Sequence, residues 1–166
     1  MNQDPFRLRL LKNLTAVLQT ITVANGYTFD LDKAIFRGRA VFGDGDPIPM
    51  VSILDAVKTV EGLRMQDDGQ EQKNIWPLLI QGWADDDLGG NPTDPAHHLL
   101  ADVKMALTKH KVEHARDYNW FGMGGAVTAI RYNGGVVRPP EDISGKSFFW
   151  LLLDLELVED LLNPYA

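Results

Sequence analysis

Apolar residues recur at three- and four-residue spacing from Phe6 through Leu10, Leu14, Val17 and Ile21, with Leu11 and Leu18 widening the stripe. That is the period of a helix burying one face. Asp4 and Pro5 in front supply a capping carboxylate and a first helical residue whose missing N–H costs nothing there. Asn25-Gly26 predicts the end, because both residues tolerate a left-handed cap. Residues 5 to 23 would then span roughly 28 Å at 1.5 Å per residue. From residue 34 the period shortens. "AIFRGRAVF" (34 to 42) and "IPMVSIL" (48 to 54) flank the turn residues "GDGDP" and predict a hairpin, with Pro49 placing the second strand's start at an edge or bulge. "EGLRMQDDGQEQK" (61 to 73) has no period and predicts a long mobile loop. "NIWPLLIQGW" (74 to 83) predicts a third strand, interrupted at Pro77.

The second helix is marked by Asp94 as cap and Pro95 as first helical residue, followed by a buried stripe of Ala96, Leu100, Val103 and Leu107 beside Leu99 and Ala106. "AVTAIRY", "NGG" and "VVRPP" predict another hairpin. In "SFFWLLLDLELVED" (147 to 160), Leu151, Leu153, Leu155 and Leu157 share one face. The other face changes from Trp150 and Leu152 to Asp154 and Glu156, the pattern of a strand covered on its second face for half its length. Strands without regular βαβ alternation predict a single α+β domain over residues 1 to 166, with a mixed or antiparallel sheet and two main helices packed on one face.

The composition excludes several chemistries. The chain has no cysteine, so it has no disulfide, thiolate metal site or thiol nucleophile. A net charge of −7 argues against general nucleic-acid binding, which needs clustered cations facing phosphates. The longest apolar run, "FFWLLL", is far short of the ~20 residues of a membrane helix. The first residues lack the pattern of a signal peptide. The expectation is a soluble, unprocessed chain with neither specific nucleic-acid binding nor membrane insertion.

Several constellations invite a chemical reading. Asp85, Asp86 and Asp87, with His97, His98 and Asp102, offer oxygen and imidazole ligands, with His98 and Asp102 one helical turn apart. The spacing fits neither a calcium loop, which alternates oxygen ligands and ends on glutamate, nor a His-Glu-x-x-His zinc helix. Asp44 and Asp46 are explained as turn residues. Gly122, Gly124 and Gly125 partly imitate a dinucleotide fingerprint, but a strand follows where that motif needs a helix. His110 and His114 predict exposed residues at a fraying helix end. Ser52, Ser144 and Ser147 lie outside any nucleophile elbow. Arg37 and Arg39 are expected to point the same way from one strand, toward a phosphate, a carboxylate or an ion-pair partner. Neither a catalytic set nor a cofactor emerges, and the reading is of an interaction module. A small metal-dependent hydrolase using Asp85 to Asp87 with His97 or His98 is the alternative from another class.

The segments "LLKNLTAVLQTITVANGYTFDLDKAIFRGRAVF", "PIPMVSIL", "WPLLIQGWADD" and "NPTDPAHHLLADVKMAL" follow in this order over the first two thirds of the chain. Together they resemble the tail-terminator, or tail-completion, proteins of long-tailed bacteriophages. The resemblance implies a non-enzymatic virion protein that forms a homo-hexameric ring on the tail tube, ends tube growth and joins the tail at its neck to the head connector or stopper protein. Another neck component or a tail-tube protein is the nearest alternative. Within this reading Arg7, Arg37, Arg39, Trp83, Asp85, Asp86 and Asp87 are the candidate interface residues, with the loops 61 to 73 and 84 to 94 facing the tube or the connector.

Overall fold

The computed structural model describes residues 3–56, 66–67, 71–85, 90–141 and 145–166. Along the chain these form α1 (Phe6–Leu18), β1 (Ile35–Arg37), β2 (Met50–Asp55), β3 (Gln66–Asp67), β4 (Glu71–Ala84), α2 (Asp94–Glu113), β5 (Val127–Arg138) and β6 (Ser147–Asp160). Short 3₁₀ turns stand at Val23–Asn25 and Trp120–Gly122. The sheet order is β1-β2-β4-β6-β5, with β3 against the outer end of β4. Among the described strands only β1 and β2 run parallel and the other pairs are antiparallel, so this is an α+β fold with a mixed sheet.

The β4–β6 ladder explains which residues are buried. Trp76, Leu78 and Ile80 stand opposite Leu155, Leu153 and Leu151. Because side chains alternate along a strand, these share one face, and all are buried. Both helices lie on that face. α1 reaches it where Arg7 meets Glu159 and Trp76 and where Thr15 receives a hydrogen bond from Arg37. α2 reaches it through Leu99, Val103 and Leu107, and its Thr108 hydroxyl bonds the Tyr132 hydroxyl at 3.0 Å.

Gly82 lies in the same layer, opposite Phe149. A Cβ built there would sit 2.2 Å from the Phe149 ring. The fully buried phenyl ring occupies the space that a side chain at 82 would need.

The structure corrects several expectations. β1 and β2 are no hairpin: the chain leaves β1 at Gly38, whose φ of 74° ends the strand, and returns to pair in parallel. "NGG" is no turn either. β5 runs through it as one strand with a register shift between Asn133 and Val136, and the hairpin is formed by β5 with β6. Pro77 is in the central strand. Its carbonyl accepts from the Ala56 N–H, so its absent donor faces the side where regular β2 pairing has stopped at Asp55 and the β6 ladder is intact.

α1 stops at Leu18, and Gly26 closes the 3₁₀ turn that follows rather than the helix. Its N-terminus is capped not by Asp4, which pairs with Lys12, but by the carbonyl of Pro164, which accepts from the Phe6 N–H at 2.8 Å. The cap residue of α2 is Thr93, with Asp94 inside the first turn. Of the expected loop 61 to 73, residues 66–67 and 71–73 are paired strands, and the rest lies outside the described residues.

Because the Phe149 ring is packed on all sides, Gly82→Ala should cost about 1–3 kcal/mol, the usual penalty of overpacking a filled core. Urea unfolding of the two proteins measures it. Equal midpoints would show that the ring can move aside.

Candidate interaction surface

The second face of the sheet carries the residues that alternate with the core. On β2, on β4 from Ile75 onward and on β6 as far as Glu156 these are Met50, Ser52 and Leu54; Ile75, Pro77, Leu79, Gln81 and Trp83; and Phe148, Trp150, Leu152, Asp154 and Glu156. The segment from 38 to 49 covers one end. Phe42 meets Trp83 edge-on with ring centroids 6.0 Å apart, and Met50, Trp83 and Phe148 are buried beneath it. Among the described residues the cover ends there. Trp150 is 40% exposed and Val136, its neighbour on β5, is 51% exposed. Leu54, Ile75, Leu79 and Leu152 are only partly buried. Among the described residues no helix packs over them, because both helices occupy the other face. The cover predicted for the terminal strand is therefore shorter than expected, ending before Trp150. Among the described residues this part of the sheet is therefore apolar and without a second layer.

Several of the expected interface residues have partners within the chain. Arg7 makes two hydrogen bonds to the buried Glu159, at 2.9 and 2.8 Å, and its guanidinium lies 4.9 Å from the centre of the Trp76 ring. The hydrogen bond to Glu159 raises the Arg7 pKa above its ordinary value, against the effect of burial. The Trp76 indole in turn donates to Asp55 at 2.6 Å. Arg37 and Arg39 do not point the same way. Arg37 donates to Thr15 on the helix side at 3.0 Å. Beyond Gly38, Arg39 stacks 3.8 Å over Phe36 on the opposite side and pairs with Asp46. The Gly43 N–H, and then Arg39, hold the Asp46 carboxyl below its usual range, which makes Asp46 a turn-forming residue. Trp83 is buried and offers no free surface. Asp85 is exposed and accepts from Lys146 at 2.7 Å, while Asp86 and Asp87 lie outside the described residues.

The metal reading gains no geometry. Asp102 is buried on the core side of α2, where its carboxylate accepts the Thr28 and Phe29 N–H groups at 2.9 and 3.1 Å, whereas His97 and His98 are exposed. Among the described residues no three acidic or histidine side chains come together as a metal site. Ser52 accepts from the Arg39 N–H, Ser147 donates to the Ala84 carbonyl, and Ser144 lies outside the described residues. The glycines after Phe121 lead into β5 as a strand entry.

The histidine pair departs from expectation. His110 is stacked on Phe121 with centroids 4.8 Å apart, and its Nε2 accepts the Phe121 N–H at 2.9 Å. Phe121 has a φ of 55°, a left-handed conformation that a bulky residue keeps only when its surroundings hold it. Its carbonyl accepts from Asn13 on α1, so this knuckle joins both helices.

No protein-family model matches the chain, and no curated protein matches it. The residues that sequence reasoning missed are those of the open face, Leu54, Ile75, Leu79 and Val136. Their signal lay in the run "IWPLLI", which is apolar on both faces, in a chain whose two helices can cover one.

Burial, and next the nearby His114, lower the His110 pKa below its ordinary 6.5. Glu113 and Asp117 oppose the shift, and neutral Nε2 is the form that accepts from Phe121. The unfolded chain then binds this proton more readily. The stability contribution is complete above pH 6.5 and declines as pH falls below it toward the folded value. Urea midpoints between pH 8 and pH 5 should fall more steeply for the native protein than for His110→Asn. Parallel slopes would remove His110 from the acid response.

Proposed function

We propose that this chain is the subunit of a homo-hexameric ring that caps the tail tube of a long-tailed bacteriophage, ending tube growth and joining the tail to the head connector. The observation that carries the reading is the open apolar face around Trp150, Val136, Leu79 and Leu152, a surface that a solitary subunit would leave in water. The order of sequence segments that resembles tail terminators supports it further. Those segments form α1, β1, β2, β4 and α2, and carry Leu54 and Leu79 of the open face.

The function asked of this chain is mechanical. A cap must present one surface to the tube and another to the connector while its copies hold one another. A stiff sheet with a long central ladder suits that load. Closure into a ring requires a heterologous contact, in which two different patches of the same subunit meet. The exposed acidic corner at Asp85 contributes orientation and encounter rate more than affinity, because salt screens charges at a rim.

Mixing purified protein with polymerising tail-tube protein tests the role. Tubes should stop lengthening and carry a ring at one end in negative-stain images. Val136→Glu, at an exposed strand position, should change fold stability by no more than about 1 kcal/mol and yield images without rings. Unchanged tube growth with the native protein would contradict the proposal.

A further inference from the structure

We propose that His110 is the catch of an acid-sensitive latch: a proton on its ring releases the Phe121 knuckle from both helices while the sheet beneath stays folded.

The catch is defined by which atoms meet. The Phe121 N–H donates to His110 Nε2 at 2.9 Å, so Nε2 offers a lone pair and the imidazole is neutral, with its proton on Nδ1. The next proton has to go to Nε2. It turns the acceptor into a donor aimed at another N–H, so the bond is lost rather than weakened.

That bond holds a backbone under strain. Among the described residues Tyr118 and Phe121 are the ones besides glycine with positive φ, at 53° and 55°, in a single turn of chain. Bulky residues keep the left-handed region only where their surroundings over-determine it, and such residues gather at switch segments. Three contacts fix Phe121. Its ring stacks on His110 with 19° between the planes, its N–H meets Nε2, and its carbonyl accepts from Asn13 at 2.6 Å. Two of the three depend on one imidazole. Protonation leaves Phe121, 2% exposed, with an unpaired buried donor and less to offset its φ. Turning the residue back to negative φ swings its carbonyl away from Asn13, so the tie to α1 goes with the tie to α2.

The opening stays local because other bonds tether the segment on both sides. The Trp120 indole donates to the Lys111 carbonyl at 3.1 Å, and the Asn119 side chain accepts the Gly124 N–H at 2.8 Å. Neither bond, nor any rung of the β4–β6 ladder, involves the imidazole.

The proton also has a route. His110 lines an open depression between the helices, with Lys109 and Glu113 beside it on α2. Val17 and Thr20 of α1 and Tyr27 beyond it line the same depression, and of these three Tyr27 alone is ionisable. The His114 ring, paired with Asp117, is centred 4.7 Å away. Burial and then His114 oppose protonation, Glu113 and Asp117 favour it, and the balance keeps the catch closed at neutral pH. The open form binds the proton more readily, so opening becomes easier as pH falls below 6.5.

Backbone amide exchange from pH 8 to pH 5, read by mass spectrometry with the intrinsic exchange rate divided out, tests the latch. Peptides covering residues 118–124 should lose protection below pH 6.5 by up to about tenfold per pH unit, the slope of one proton. Peptides from β4 and β6 should keep theirs, and His110→Gln should remove the slope. Exchange of the imidazole C2–H of His110 in the native protein needs no variant. Its midpoint should lie below 6.5, where the loss of protection levels off. Protection of 118–124 that ignores pH, or a His110 midpoint at 6.5 or above, would overturn the proposal. So would β4 and β6 losing protection in step, which is general acid unfolding, or a slope that survives in His110→Gln, which puts the proton on another group.

Discussion

The ladder between β4 and β6 runs for the full length of both strands, with Glu71 opposite Asp160 at one end and Ala84 opposite Ser147 at the other. Fourteen residues in each strand make a beam of roughly 46 Å at 3.3 Å per residue. Its register decides which side chains become core. A slip of one residue would turn the leucines of β6 away from the helices and bring Asp154 and Glu156 under them, which makes the observed pairing strongly specified. The remaining strands are shorter and borrow their position from this pair. The helices follow, because the apolar stripes of α1 and α2 have one leucine-rich face to settle on.

Two devices hold α1 across one end of the beam. The Arg7–Glu159 pair ties the first turn to the last residues of β6, and the Pro164 carbonyl takes up one of the N–H groups that a helix start leaves without an internal partner. Both join segments more than 150 residues apart in sequence. At the other end of the helix layer the Phe121 knuckle bonds His110 of α2 and Asn13 of α1. The helix layer is thus fixed at its margins by polar contacts and along its middle by leucine packing. Among the described residues the opposite face carries no helix, and this asymmetry is the physical basis of the proposed assembly.

How much was legible in the sequence differs by element. The stripe from Phe6 to Leu18, the Pro95 helix start and the alternation from Phe149 to Leu157 were readable because each is a local period with one buried side. The β1–β2 relation was not, because "GDGDP" between two apolar runs signals a turn whether the chain pairs back on itself or crosses to a parallel neighbour. "NGG" misled for a related reason: a glycine at positive φ serves a bulge as well as a turn. The arginines of the candidate interface were visible as charges, but their partners, Glu159, Thr15 and Asp46, are fixed by tertiary placement. The open face was half visible. The change from Trp150 to Asp154 announced a boundary, while the position of that boundary depended on Phe42 folding back over Trp83.

The sheet face without cover among the described residues is proposed to be an interface between copies of this chain. The most direct measurement is the mass in solution by light scattering, across a concentration series and in the presence of tail-tube protein. The account predicts a particle of six 18.5 kDa chains, formed alone or on the tube. A single-chain mass under every condition, with Trp150 and Val136 still in water, would contradict it.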